Sequence, residues 1–278
     1  MDSPGIPEAL ELERLLAVAA EVARACGRLI VDERPRDVGV AATKSSVTDV
    51  VTVMDQRSEE LARALLTARR PGDAILGEEG AAVEGTTGIT WLVDPIDGTV
   101  NYLYGIEAYA VSVAAVVGDP SVEGGWAPVA GAVYQPATNE LYLARSGGGA
   151  RLVAGDGDVA ELRALLPDDL AACLVGTGFG YRIDERVRQG AEVARVLPRV
   201  RDIRRHGSAA LDLCSVARGR LDAYYERCLN PWDLAAGWLV AQEAGAVVRG
   251  ADGGRPDRNL TLAGSAAAVA ALSAILAG

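Results

Sequence analysis

The stretch WLVDPIDGTVNYLYG, residues 91–105, closes a short apolar run with two aspartates, Asp94 and Asp97, separated by Pro95 and Ile96 and followed by Gly98-Thr99. Proline has no N–H to give to a strand ladder. The sequence therefore predicts that the strand stops and that Asp94-Pro95-Ile96-Asp97 turns, aiming both carboxylates and the Ile96 carbonyl at one point. Like charges placed this way in a partly buried site repel unless one takes up a proton or a cation lies between them. Oxygen donors with no Cys or His among them suit Mg2+ or Mn2+ rather than zinc. A second reading stays open, in which Asp97 caps a helix and Asp94 pairs with an arginine.

Other acidic residues share the same kind of position. Asp49, Glu78, Asp94, Asp97 and Asp233 each fall at a predicted strand end or helix start: Glu78 with Glu79 in LGEEG, Asp233 in NPWDLAAG. Taken singly, each is ordinary turn or helix-start chemistry. Taken together they suggest a divalent-metal site. If a helix or tight turn begins at Gly98-Thr99, its N–H groups could hold a phosphate beside such a site, and the Thr99 hydroxyl could orient water or simply cap. The lone histidine, His206, excludes zinc sites needing several imidazoles and reads as a loop residue. Cys26, Cys173, Cys214 and Cys228 form no CxxC pair and read as reduced core residues.

These residues need elements to carry them. Leu12, Leu15, Leu16, Ala19, Val22 and Ala23 share one face of a long helix between Pro7 and about Glu33. A second helix precedes Pro71, and short strands follow in DAILGEEG, TWLVD, AYAVSVAAVVGD and a hairpin around residues 136–139. SGGG at 146–149 reads as a turn, since no helix follows closely enough to make it a phosphate cradle. Beyond the linker-like GDGD, strands and helices alternate, which argues for layered sheets and helices. The expected organisation is a single domain over 1–278, with an N-terminal α+β half (about 1–150) and a C-terminal α/β half (about 151–278).

The chain has 278 residues and 27 Lys plus Arg against 38 Asp plus Glu, a formal net charge of -11. That balance argues against nucleic acid and anionic membrane surfaces as partners. The N-terminal residues lack the pattern of a secretory signal and the apolar tail is too short to span a bilayer, so a cytoplasmic protein is expected.

LGEEG, WLVDPIDGTVN, HGSAALDLCSVARGRLDAYYE and NPWDLAAGWLVAQEAGAVV, in this order, resemble the motifs of the inositol monophosphatase family. The resemblance, which covers most of the chain, implies a layered α/β/α/β/α sandwich and Mg2+-dependent hydrolysis of small phosphate monoesters. By position it implies Glu78, Asp94, Asp97, Asp233 and the Ile96 carbonyl as metal ligands, with Mn2+ an alternative to Mg2+. Gly98 and Thr99 would donate to phosphate, Asp49 and Thr99 would help Glu78 position the attacking water, and Gly207, Ser208, Ala209, Glu226, Asp97 and Asp233 would line the substrate.

Inositol-1-phosphate is the leading substrate, because Glu226 suits vicinal hydroxyls. Histidinol phosphate, fructose 1,6-bisphosphate and 3'-phosphoadenosine nucleotides are alternatives on the same fold, and a non-catalytic regulatory protein is the alternative of another class. The resemblance also implies a homodimer. Val100, where a second threonine is common, and Glu107, where a proline is common, depart from the pattern near the site entrance.

Overall fold

A computed structural model describes residues 5–35, 38–43 and 50–278. The first helix, α1 (Ala9–Asp32), buries all six apolar residues expected of its face, together with Cys26 and Ile30. Burying a leucine of this kind contributes about 1.5–3 kcal/mol, so the stripe is enough to seat the helix on a sheet. After the two-residue strands β1 (Ala42–Thr43) and β2 (Val50–Val51), α2 (Val53–Arg69) runs until the chain reaches Pro71.

Seven strands then form one sheet in sequential order: β3 (Ala74–Gly77), β4 (Ile89–Asp97), β5 (Ala110–Gly118), β6 (Trp126–Gln135), β7 (Glu140–Arg145), β8 (Ala150–Val153) and β9 (Val159–Glu161). Only the β3–β4 pair is parallel. Between β4 and β5 lies the short helix α3 (Thr99–Tyr104).

The expected turn at Pro95 is not what forms. β4 continues through the proline to Asp97, and the strain is taken up as a register shift: Asp94 faces Ser112 while Asp97 faces Ala110, so three steps on β4 match two on β5. A proline is tolerated in a strand at such a bulge, where the lost N–H has no partner to miss.

The remaining strands, β10 (Leu174–Thr177), β11 (Asp202–Arg204), β12 (Ala223–Glu226), β13 (Val247–Arg249) and β14 (Thr261–Gly264), make a mixed sheet in the order β11-β10-β12-β14-β13. Helices α4 (Ile183–Val196), α5 (Ala209–Ala217), α6 (Pro231–Glu243) and α7 (Ala266–Ala277) alternate with them.

Three apolar clusters glue the layers. One joins α1 and α2 to the outer face of the large sheet. A second joins α5 and α6 to the facing sides of both sheets. The third seats α7 on the far face of the small sheet, where α4 also packs. The result is the expected α/β/α/β/α stack. The SGGG loop serves this packing: the Gly147 and Gly149 N–H groups each donate to the Glu243 carboxylate at 2.9 Å, tying the end of α6 to the β7–β8 hairpin.

Candidate active site

Parallel pairing sets the first two carboxylates side by side. Gly77 on β3 is opposite Val93 on β4, so Glu78, just past the end of β3, lies beside Asp94 at the start of the β4 bulge, and the Glu78 N–H donates to the Val93 carbonyl at 3.2 Å. Asp94 then accepts the Ile96 N–H at 3.1 Å within the bulge. Opposite Asp94, the Ser112 hydroxyl donates to the Trp232 carbonyl at 3.2 Å, which brings the start of α6, and hence Asp233, to the same place. Asp233 stands in a capping box, accepting the Asn230 N–H at 2.7 Å.

Asp97 receives the start of α5. Its carboxylate accepts from the Ser208 hydroxyl at 2.6 Å, the Ala210 N–H at 2.7 Å and the Ala209 N–H at 3.2 Å. Asp97 therefore both receives the start of α5, as the helix-capping reading expects, and lines the cleft. Gly98 follows with φ of 98°, and a Cβ there would lie 2.9 Å from the Ala108 carbonyl oxygen and 3.1 Å from that of Gly207. Only glycine fits both the left-handed backbone and the close approach.

A cleft of about 280 Å3 opens here, lined by Glu78, Asp94, Ile96, Asp97, Gly98, Thr99, Gly207, Ala209, Glu226 and Asp233, with Phe179, Arg205 and Trp232 among the other wall residues. Of the expected site residues, Ser208 is not on the wall. It is buried, and its hydroxyl is engaged by Asp97 and by the Leu211 N–H. Asp49 lies outside the described residues.

The residue that meets Thr99 is Asp55, which the sequence reading missed. The Thr99 hydroxyl is 3.0 Å from Asp55 Oδ1 and 3.0 Å from the Ile96 carbonyl. The other Asp55 oxygen is held by Thr52, through its N–H at 2.8 Å and its hydroxyl at 2.5 Å. The signal was present: Thr52-x-x-Asp55 is a capping-box spacing at the start of α2.

Burial and mutual repulsion govern the charges. Asp94 is pushed well above the usual carboxylate range, first by burial and then by Glu78, Asp97 and Asp233. Asp233 is raised likewise, by burial and then by Glu78. Asp97 rises only to about 6, because burial is opposed by the hydrogen bonds from Ser208 and the α5 amides. Asp55 also reaches about 6, with burial opposed by Thr52 and Thr99. Glu226, donated to by the Tyr224 hydroxyl at 2.5 Å, is pushed to about 8 by burial. His206 leaves the cleft free and pairs through Nδ1 with Asp212 at 2.5 Å; that bond raises the imidazole pKa.

Among the described residues, no three acidic, histidine or cysteine side chains stand as a preassembled metal site. Asp94, Asp97 and Asp233 make no ion pair with a basic side chain among those residues. The donor set is all oxygen and anionic, and the burial and repulsion that lift Asp94 and Asp233 are what a hard divalent cation offsets. The residues present fit such an ion.

Structures of similar shape define the class. Mycobacterium tuberculosis SuhB superposes with a TM-score of 0.78 at 43% identity, covering 95% of this chain and 96% of that one. An inositol-1-monophosphatase of Mycobacterium leprae is 49% identical over 242 residues, 85% of this chain and 79% of the relative. A Nus factor SuhB of Pasteurella multocida is 37% identical over 243 residues, 86% of each chain. The inositol monophosphatase family profile matches residues 11–277. This chain belongs to the inositol monophosphatase family, a family of phosphoric monoester hydrolases. Among its described residues no helix is long and apolar enough to cross a membrane.

Proposed function

We propose that the protein hydrolyses a small phosphorylated polyol, inositol-1-phosphate foremost, with Mg2+ as the metal. The observation that carries this reading is the gathering of Glu78, Asp94, Asp97 and Asp233 on one small cleft with Gly98, Thr99 and Glu226. The four carboxylates and the Ile96 carbonyl would hold the ions. Bound there, a divalent ion supplies charge neutralisation to the phosphate and lowers the pKa of water.

The chain's own residues do the rest. The Gly98 and Thr99 amides orient the phosphate. The Thr99 hydroxyl proton is committed to Asp55 or to the Ile96 carbonyl, which turns its lone pairs toward a water that Glu78 can deprotonate. Asp55 fills the part expected of Asp49. Glu226, its pKa pushed by burial to about 8, offers both a donor and an acceptor to vicinal hydroxyls at neutral pH. Most of the barrier reduction comes from positioning and charge stabilisation.

The protein is proposed to act as a homodimer in the cytoplasm, as a single domain. The Nus factor name of the Pasteurella relative favours a second reading, a regulatory role beside the transcription machinery. Phosphate release from inositol-1-phosphate, histidinol phosphate, fructose 1,6-bisphosphate and a 3'-phosphoadenosine nucleotide, with and without Mg2+, tests the first. The expected result is Mg2+-dependent release with the highest kcat/KM on inositol-1-phosphate. Absence of release from every ester would leave the regulatory reading standing.

A further inference from the structure

The loop that carries Glu78 is held from behind by a carboxylate that the chemistry above does not use. Glu59, in the second turn of α2, is only 2% exposed. Its Oε2 accepts the Glu79 N–H at 2.7 Å, and its Oε1 accepts the Gly80 N–H at 2.7 Å and the Arg63 Nε–H at 2.8 Å. Two consecutive amides of one loop thus grip the two oxygens of one side chain. Arg63, one turn further along the helix, balances its charge.

The loop is shaped to admit that carboxylate. A Cβ on Gly77 would lie 2.4–2.5 Å from the Glu59 carboxyl atoms, and one on Gly80 would lie 2.8 Å from Oε1 and 2.9 Å from the Arg63 guanidinium. Glu78 sits between these contacts: the residue before it has no side chain so that Glu59 can approach, and the two residues after it are hydrogen-bonded to Glu59. With the Val93 carbonyl accepting its own N–H, the Glu78 backbone is fixed from both flanks.

Resting on the metal-dependent reading above, we infer that Glu59 is a positioning residue that sets the divalent-cation affinity of the cleft by pinning the backbone of Glu78. Groups that orient a ligand-bearing residue change metal affinity by about 10–100-fold when removed. Glu59→Gln keeps the size of the side chain but turns an NH2 group toward amides that themselves donate, so the grip on the loop fails while the α2 interior stays filled.

Calorimetric titration of the full chain with Mn2+, on variants shown folded by circular dichroism, tests this. Wild type should bind Mn2+, Glu59→Gln should weaken the Kd by about tenfold or more, and in a Glu78→Gln background the same change should cost nothing further. Should Glu59→Gln not fold, Gly80→Ala displaces the same carboxylate from the loop side and is expected to weaken Mn2+ in the same direction. An unchanged Kd in the folded variant, or an equal loss in the Glu78→Gln background, overturns the inference while leaving the metal-dependent reading intact. Wild type that takes up no Mn2+ overturns both.

Discussion

Asp94 and Asp97 stand three residues apart on one strand, line one cleft and are both almost fully buried, yet the fold treats them differently. Asp97 accepts three hydrogen bonds from the start of α5. Among the described residues Asp94 accepts one, from its own bulge. The consequence is a carboxyl near pKa 6 beside one raised well beyond the ordinary range. One aspartate belongs to the scaffold as much as to the site; the other is a buried carboxyl that no basic side chain among the described residues pairs with. A helix start compensates one of the two carboxyls, and the proposed cation would compensate the other.

The comparison is broken most directly by removing each charge. Asp94→Asn and Asp97→Asn should each lower kcat by several orders of magnitude, since each removes a proposed metal ligand, and near wild-type turnover in either would refute the assignment. Their metal-free stabilities should move in opposite directions. Asp94→Asn relieves repulsion and should raise Tm, whereas Asp97→Asn weakens the α5 cap, worth about 1 kcal/mol, and should lower Tm by roughly 2–4 °C. Thermal scans in excess chelator read the sign, and a shared sign would dissolve the distinction.

A smaller effect is expected behind Thr99. Asp55→Asn and Thr99→Val should each reduce kcat by about a hundredfold with KM nearly unchanged, because they orient water rather than bind the ester. A loss confined to KM would move both residues out of that role. Smaller still is the response of Glu226. Its pKa is raised from 4.5 to about 8, so the folded state binds more protons than the unfolded state in that window. Its contribution to stability is full below about 4.5 and is lost as pH rises through about 8. Glu226→Gln should therefore raise Tm relative to wild type more at pH 9 than at pH 5, and a difference independent of pH would show that the carboxyl is not held in its protonated form.

Much of this was legible along the chain. The α1 stripe, the order of strands and helices and the ends of apolar runs in acid all follow from local periodicity and local breakers. Pro95 misled because proline was weighed only as a strand terminator, while a bulge lets the strand pass it. Asp55 was overlooked because its spacing to Thr52 reads as a plain helix cap; its second oxygen meets Thr99 only after β4 packs on α2. Ser208 was expected on the cleft wall, and its hydroxyl turned inward because a buried carboxylate lay within reach.

The residue types alone determined the chemistry available here: one histidine, four dispersed cysteines and acids at the ends of apolar runs leave oxygen ligands and little else. Local rules reach a few residues, and they set helices, strands and caps. Which carboxylate would be compensated was decided in space, where Asp97 meets donors 111 to 113 residues away and Glu59 meets a loop 20 residues on. Burial and Coulomb forces act through distance rather than along the chain, so that assignment exists only once the layers have closed.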